Sequence, residues 1–149
     1  MNPGHLGIAA MVALALHAAS AAAAEPALDY DFYKNRVEPV FLKKRPGHAR
    51  CMVCHVESNN AFRLQKFSGK HESWADDESR KNFTLVSALV TPGNPDKSLL
   101  LMYPLAPEAG GSIYHSGGRQ FGGKDDPDWK VLAAWVNGAK LPGAANPKK

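Results

Sequence analysis

The sequence predicts an all-α domain of about four to five short helices with long loops. Three observations carry that reading. Apolar residues recur at helical spacing in segments 29–44, 79–90, 94–103 and 128–137. Proline or glycine closes each of these segments. Only 61–65 alternates with the two-residue period of a strand.

Residues 1–24 read as an export signal. Ile8 to Ala24 is apolar or small apart from His17 and Ser20, and Ala22-Ala23-Ala24 before Glu25 fits the small-x-small cleavage rule. The first seven residues depart from the usual pattern, since they hold His5 but neither Lys nor Arg. An uncleaved anchor is the competing reading, but the stretch is short for a span and rich in alanine. Cleavage after Ala24 is the expectation. It leaves 25–149 as one small domain with a single core and no stable membrane span.

Segment 29–44 is the first helix. Asp29 or Asp31 can cap its start, and Phe32, Tyr33, Val37, Val40 and Phe41 give it one buried face. Pro39 predicts a kink or a restart. Lys43, Lys44 and Arg45 suit the negative end of the helix dipole, and Pro46-Gly47 breaks the chain. Segment 61–65 is expected to be extended, with Phe62 and Leu64 inward. Residues 66–80 are polar and read as a surface loop, with Trp74 as a packing residue. In the second helix, 79–90, Phe83, Val86, Leu89 and Val90 share one face. Asn94-Pro95 opens a third helix that stops before Pro104. The glycine-rich stretch 104–125 is a loop. Asp126-Pro127 caps a last helix whose stripe is Trp129, Leu132, Ala133 and Val136, and Gly138 ends it. The tail 141–149 is polar and reads as loose.

Between the first two helices stands Cys51-Met52-Val53-Cys54-His55, which holds the only two cysteines. Cys-x-x-Cys-His is the attachment signature of c-type haem. Each thiol adds to one porphyrin vinyl group. Two intervening residues bring both sulfurs to one edge of the macrocycle as the segment turns into helix. His55 then comes under the iron as proximal ligand. One such motif means one covalent haem c, which would fill much of the core. Three readings compete. A thioredoxin-like dithiol wants a βαβ pattern. A zinc site needs four ligands, and His48, His55, His71 and His115 are poorly spaced to complete one. A disulfide across two residues is a strained choice.

Four residues compete for the second axial position, alongside water or an empty site. Met102 ends an apolar helix, where methionine is usually core filler. His48 is too near Cys51 to cross easily to the other face, and His71 is a weak candidate. His115 sits in Ile113-Tyr114-His115-Ser116-Gly117-Gly118, where the glycines would let backbone approach a flat ring. His115 is therefore the expected distal ligand, with Met102 as the fallback.

These residues carry a resemblance. Residues 37–138 are similar to the small c-type cytochrome domains first grouped from planctomycete-like bacterial proteins. The likeness rests on Val37-Glu38-Pro39-Val40-Phe41, Cys51 to His55, Phe62-Arg63-Leu64-Gln65, Pro92 to Leu100 and Trp135-Val136-Asn137-Gly138. Many members present a Met-Pro-Pro loop between the Ser-x-Leu helix and the last helix. Here that loop offers His115-Ser116-Gly117-Gly118 instead, which favours a bis-histidine iron. The resemblance implies a class I-like cytochrome c fold, with the first and last helices crossing beside the haem edge.

The expected function is single-electron transfer between redox protein partners by an exported, periplasmic, bacterial mono-haem cytochrome. Covalent haem attachment in bacteria takes place outside the cytoplasmic membrane, which agrees with the signal. Net charge is +4, all of it after residue 24, and this suits an acidic docking face on a partner. No basic cluster interleaved with aromatics points to nucleic acid. Four permanent positive charges in 43–50 are candidates for haem propionates or partner steering. A haem-based gas or redox sensor, in which His115 dissociates, is the alternative. A peroxidase-like enzyme would need a distal base and an arginine, for which Arg119 is the nearest candidate.

Overall fold

The computed structural model describes residues 1, 26–68 and 72–142. The signal segment beyond Met1, His71 and the last seven residues of the tail lie outside them. The described residues are all-α, with no β-strand; two isolated bridges join Thr91 to Asn94 and Leu105 to Phe121. None of their helices is long and apolar enough to cross a membrane.

Helix α1 covers 30–42 in three parts: Tyr30–Phe32, a π-helical turn Tyr33–Val37, and Glu38–Leu42. Asp29 caps it, its carboxylate accepting from the Phe32 amide at 2.7 Å. The π turn is the form the expected kink takes. Pro39 has no N–H for the preceding turn, and the Glu38 amide reaches back five residues to the Tyr33 carbonyl. The helix stops at Leu42, because Lys43 is extended. Lys43 to Arg45 therefore lie beyond the last turn.

Helix α2 is Cys51–His55, as the motif predicts. Leu64 follows outside any helix and is buried; its amide donates to the His55 carbonyl at 2.9 Å. Helix α3 is Asp76–Ser87, so it begins three residues before the expected start, within the stretch read as loop, and ends three residues early. Its start is fixed by Glu78, which accepts from the amides of Ala75 and Ser68. Trp74 is buried and donates to the Gln65 carbonyl at 2.7 Å.

The expected third helix divides at Ser98. Pro95–Lys97 is a 3-10 turn, and helix α4 is Leu99–Met102. The buried Ser98 hydroxyl bonds the Asn94 carbonyl and the Thr91 amide, offering the chain an alternative to helix. The loop that follows holds one further 3-10 turn, Pro107–Ala109. It is closed at its base, where Gln120 and Phe121 donate to the Pro104 carbonyl and Ala106 donates to the Phe121 carbonyl. Helix α5 is Pro127–Val136, capped by the Asp126 carboxylate on the amides of Asp128 and Trp129. Gly138 ends it at φ +82°, which favours glycine.

Helices α1 and α5 pack on each other. The Trp135 ring lies 5.3 Å from that of Tyr33, and its indole N–H donates to the Asp29 carbonyl at 3.0 Å. Val37, Phe41, Leu101, Leu105 and Leu132 complete the buried centre around them.

Candidate cofactor site

Helix α2 sets Cys51 and Cys54 three residues apart, hence on one helix face. Both thiols are free; Cys51 is half-buried and Cys54 exposed. They line a cavity of about 630 Å³ whose walls include Val40 and Phe41 of α1, Leu100 of α4 and Leu132 of α5. Cofactor pockets of about 300–1,000 Å³ are usual. His55 lines the same cavity from α2, and His115 lines it from the loop 104–121.

Each imidazole has one nitrogen engaged. His55 Nδ1 lies 2.8 Å from the Phe62 carbonyl. A carbonyl oxygen only accepts, so Nδ1 carries the proton and Nε2 is the bare nitrogen. His115 repeats the arrangement with the Gly118 carbonyl at 2.6 Å. Ligating histidines characteristically donate their second N–H in this way. Burial depresses the His55 pKa and His115 adds to that effect, while the bond to Phe62 opposes it. The shift favours the neutral ring, the form that binds metal.

The ring centres of His55 and His115 are 6.2 Å apart and their planes differ by 14°. Two imidazoles sharing one first-row metal, at nitrogen–metal bonds of about 2 Å, have ring centres about 6 Å apart. That spacing is compatible with two imidazoles sharing one metal, and both thiols lie on the wall of the same cavity. Among the described residues, no three His, Cys, Asp or Glu side chains gather to hold a metal ion. A protein-only zinc site among them falls short of four ligands.

The dithiol reading fares poorly on two counts. There is no strand to build a βαβ unit among the described residues. Burial also pushes the Cys51 thiol up, against Arg45, whereas a redox thiolate needs a lowered pKa.

The other ligand candidates lie elsewhere. Met102 packs against the core and does not line the cavity; its carbonyl accepts from the Ser112 amide at 2.8 Å. His48 sits in the turn before α2, its carbonyl accepting from Lys44 Nζ at 2.6 Å. Arg119 is exposed and pairs with Glu108 at 3.3 Å. Of the four cations in 43–50, Arg50 alone lines the cavity.

Arg45, expected among helix-end charges or as a propionate or partner contact, is committed elsewhere. Its side chain is only 12 % exposed, and it bonds the carboxylates of Asp126 and Asp128 and the Gln120 carbonyl. Its guanidinium lies 4.6 Å over the Phe121 ring. Burial would raise the Asp126 pKa, but Arg45 and the first amides of α5 outweigh it and hold that carboxyl below its ordinary range. Compared with known proteins, the chain matches no family model, no curated protein and no solved structure.

Proposed function

We propose that this chain is an exported mono-haem cytochrome c, similar to the small planctomycete-type domains and class I-like in fold, that carries single electrons between redox proteins. One observation carries the reading most. Two near-parallel imidazoles, ring centres 6.2 Å apart and each with Nδ1 bonded to a carbonyl, line one cavity together with both thiols of the Cys-x-x-Cys-His motif.

Cys51 and Cys54 would hold the haem and His55 and His115 its iron. The bound group supplies a one-electron couple, and a bis-histidine pair gives it a lower potential than a His/Met pair. The protein's share is to fix both rings and exclude water. The Phe62 and Gly118 carbonyls orient the imidazoles, and the apolar wall keeps the dielectric low. Arg50 is the candidate partner for a propionate.

The test is the mature protein recovered from the periplasm of a host able to attach haem. Mass must rise by one tetrapyrrole. The oxidised protein must show a low-spin spectrum without the near-infrared sulfur-to-iron band. A colourless product ends the reading; that band removes His115 from it.

A haem sensor is the second reading. It is favoured by the ring anchor of His115, a carbonyl only three residues away on an exposed loop. Rapid carbon monoxide binding by the reduced protein would select it over the carrier.

A further inference from the structure

We propose that Arg45 is the positioning residue for the distal ligand: it joins the segment leading into Cys51 to the base of the loop that carries His115. This rests on the haem reading above and extends it to a residue outside the cavity. Arg45 stands six positions before Cys51, and the turn between them is tied, His48 donating to the Arg45 carbonyl at 3.2 Å. From that side its guanidinium reaches across to the other wall. It donates to the Gln120 carbonyl at 3.2 Å and lies over the Phe121 ring, which is buried and lines the cavity.

Contacts continue from there to His115. The Gln120 side-chain amide donates to the Gly117 carbonyl at 3.4 Å. A Cβ at Gly117 would stand 3.3 Å from His115 Cε1, so this backbone lies against the imidazole. The far end of the guanidinium is fixed as well. Asp126 takes Arg45 on Oδ2 while its Oδ1 caps α5, and Asp128 holds the other arm. A planar fork with several fixed donors can bond two carboxylates and a carbonyl and still stack on a ring; a lysine ammonium cannot. The spacing of the two imidazoles is thus set between two separate segments, and Arg45 is the strut between them.

The experiment uses the haem-loaded protein and reads the iron's spin state together with the rate of carbon monoxide binding to the reduced form. Arg45→Met and Asp126→Asn each weaken the strut; the second keeps an acceptor for the helix cap and guards against loss of folding in the first. Both are expected to gain a high-spin fraction and to bind carbon monoxide at least tenfold faster than the native protein. Arg45→Lys is expected to fall between. Lys43→Met is expected to leave both readouts unchanged. Lys43 shares Asp128 at 2.9 Å but bonds neither Gln120 nor Phe121. Low-spin, carbon-monoxide-inert iron in both Arg45→Met and Asp126→Asn overturns the inference. An equal gain in Lys43→Met also overturns it, since any lost charge would then suffice. Fast binding by the native protein instead counts against the bis-histidine reading itself.

Discussion

His55 and His115 face one cavity, yet the chain holds them by different means. His55 belongs to a helix, and its ring bonds a carbonyl seven residues away and packs 4.2 Å from the Phe62 ring. Its own carbonyl is taken by Leu64, and Ser58 and Asn60 brace the Phe62 peptide. The His115 ring bonds the Gly118 carbonyl, three residues on, in a loop whose flanking Tyr114 is 81 % exposed. The first ring is built into the tertiary fold. The second is fixed locally, and its distance from the first depends on how the loop base is tied down. Such locally held segments open at low cost in free energy.

The largest effects separate the two sides. Cys51→Ser with Cys54→Ser is expected to abolish covalent haem, so that the added mass disappears entirely. His115→Ala is expected to keep that mass and change only the iron's spin state and access to carbon monoxide. Loss of the mass in His115→Ala would break the comparison, because the loop would then be needed to attach the cofactor.

Trp135→Ala tests the packing of α5 on α1. The indole is fully buried between α1 and α5. Truncation of such a ring costs about 3–5 kcal/mol, and urea denaturation measures it. The folded fraction is expected to keep its low-spin iron, since Trp135 touches neither imidazole. A high-spin folded fraction would mean that the loop also leans on this frame.

How much of this was legible follows from the range of each interaction. The Cys-x-x-Cys-His chemistry is complete within five residues. The caps at Asp29 and Asp126 and the stop at Gly138 are equally local, and the structure has all three. The glycines at 117 and 118 single out His115 in the sequence, and the structure sets it on the same cavity as His55. The start of α3 is hidden from apolar periodicity because its first turns are polar. Ser79 and Asn82 are buried, Asn82 accepting from the Gln65 amide at 2.8 Å. The run Asp76-Asp77-Glu78, acidic in a first turn, was the available signal. Arg45 was unreadable for another reason: its partners lie 75 to 83 positions away. No periodicity spans such a distance.

A proton sharpens the same division. Glu38 on α1 is 5 % exposed, with Oε2 accepting from the Ser79 hydroxyl at 3.0 Å. Burial raises its pKa from 4.5 to about 7, against Ser79 and Lys34, with Asp76 adding to the rise. Tyr33 is the remaining titratable group coupled to it. The folded chain therefore keeps a proton that the unfolded chain has lost. That stability is fully present below about pH 4.5 and is lost as pH rises through about 7. Denaturation midpoints should fall across this window, and Glu38→Gln should flatten them. His115→Ala should leave the slope unchanged, because the Glu38 carboxylate bonds across to Ser79 on α3. A slope that changes with His115→Ala would couple the two regions through α1.

The smallest effect falls at the exposed end of the distal loop. Arg119 and Glu108 pair at 3.3 Å with side chains 60 % and 73 % exposed. Such pairs contribute about 0–1 kcal/mol, because water screens them and both side chains lose freedom. Arg119→Ala should therefore shift stability by no more than that, with the spin state unaltered. The pair joins one part of the loop to another and does not reach the proximal wall, as Arg45 does. If Arg119→Ala released His115 while Arg45→Met did not, the tie would lie near the exposed end and the strut would have no role. An unchanged Arg119→Ala beside a high-spin Arg45→Met would locate control of the distal ring at the loop's base.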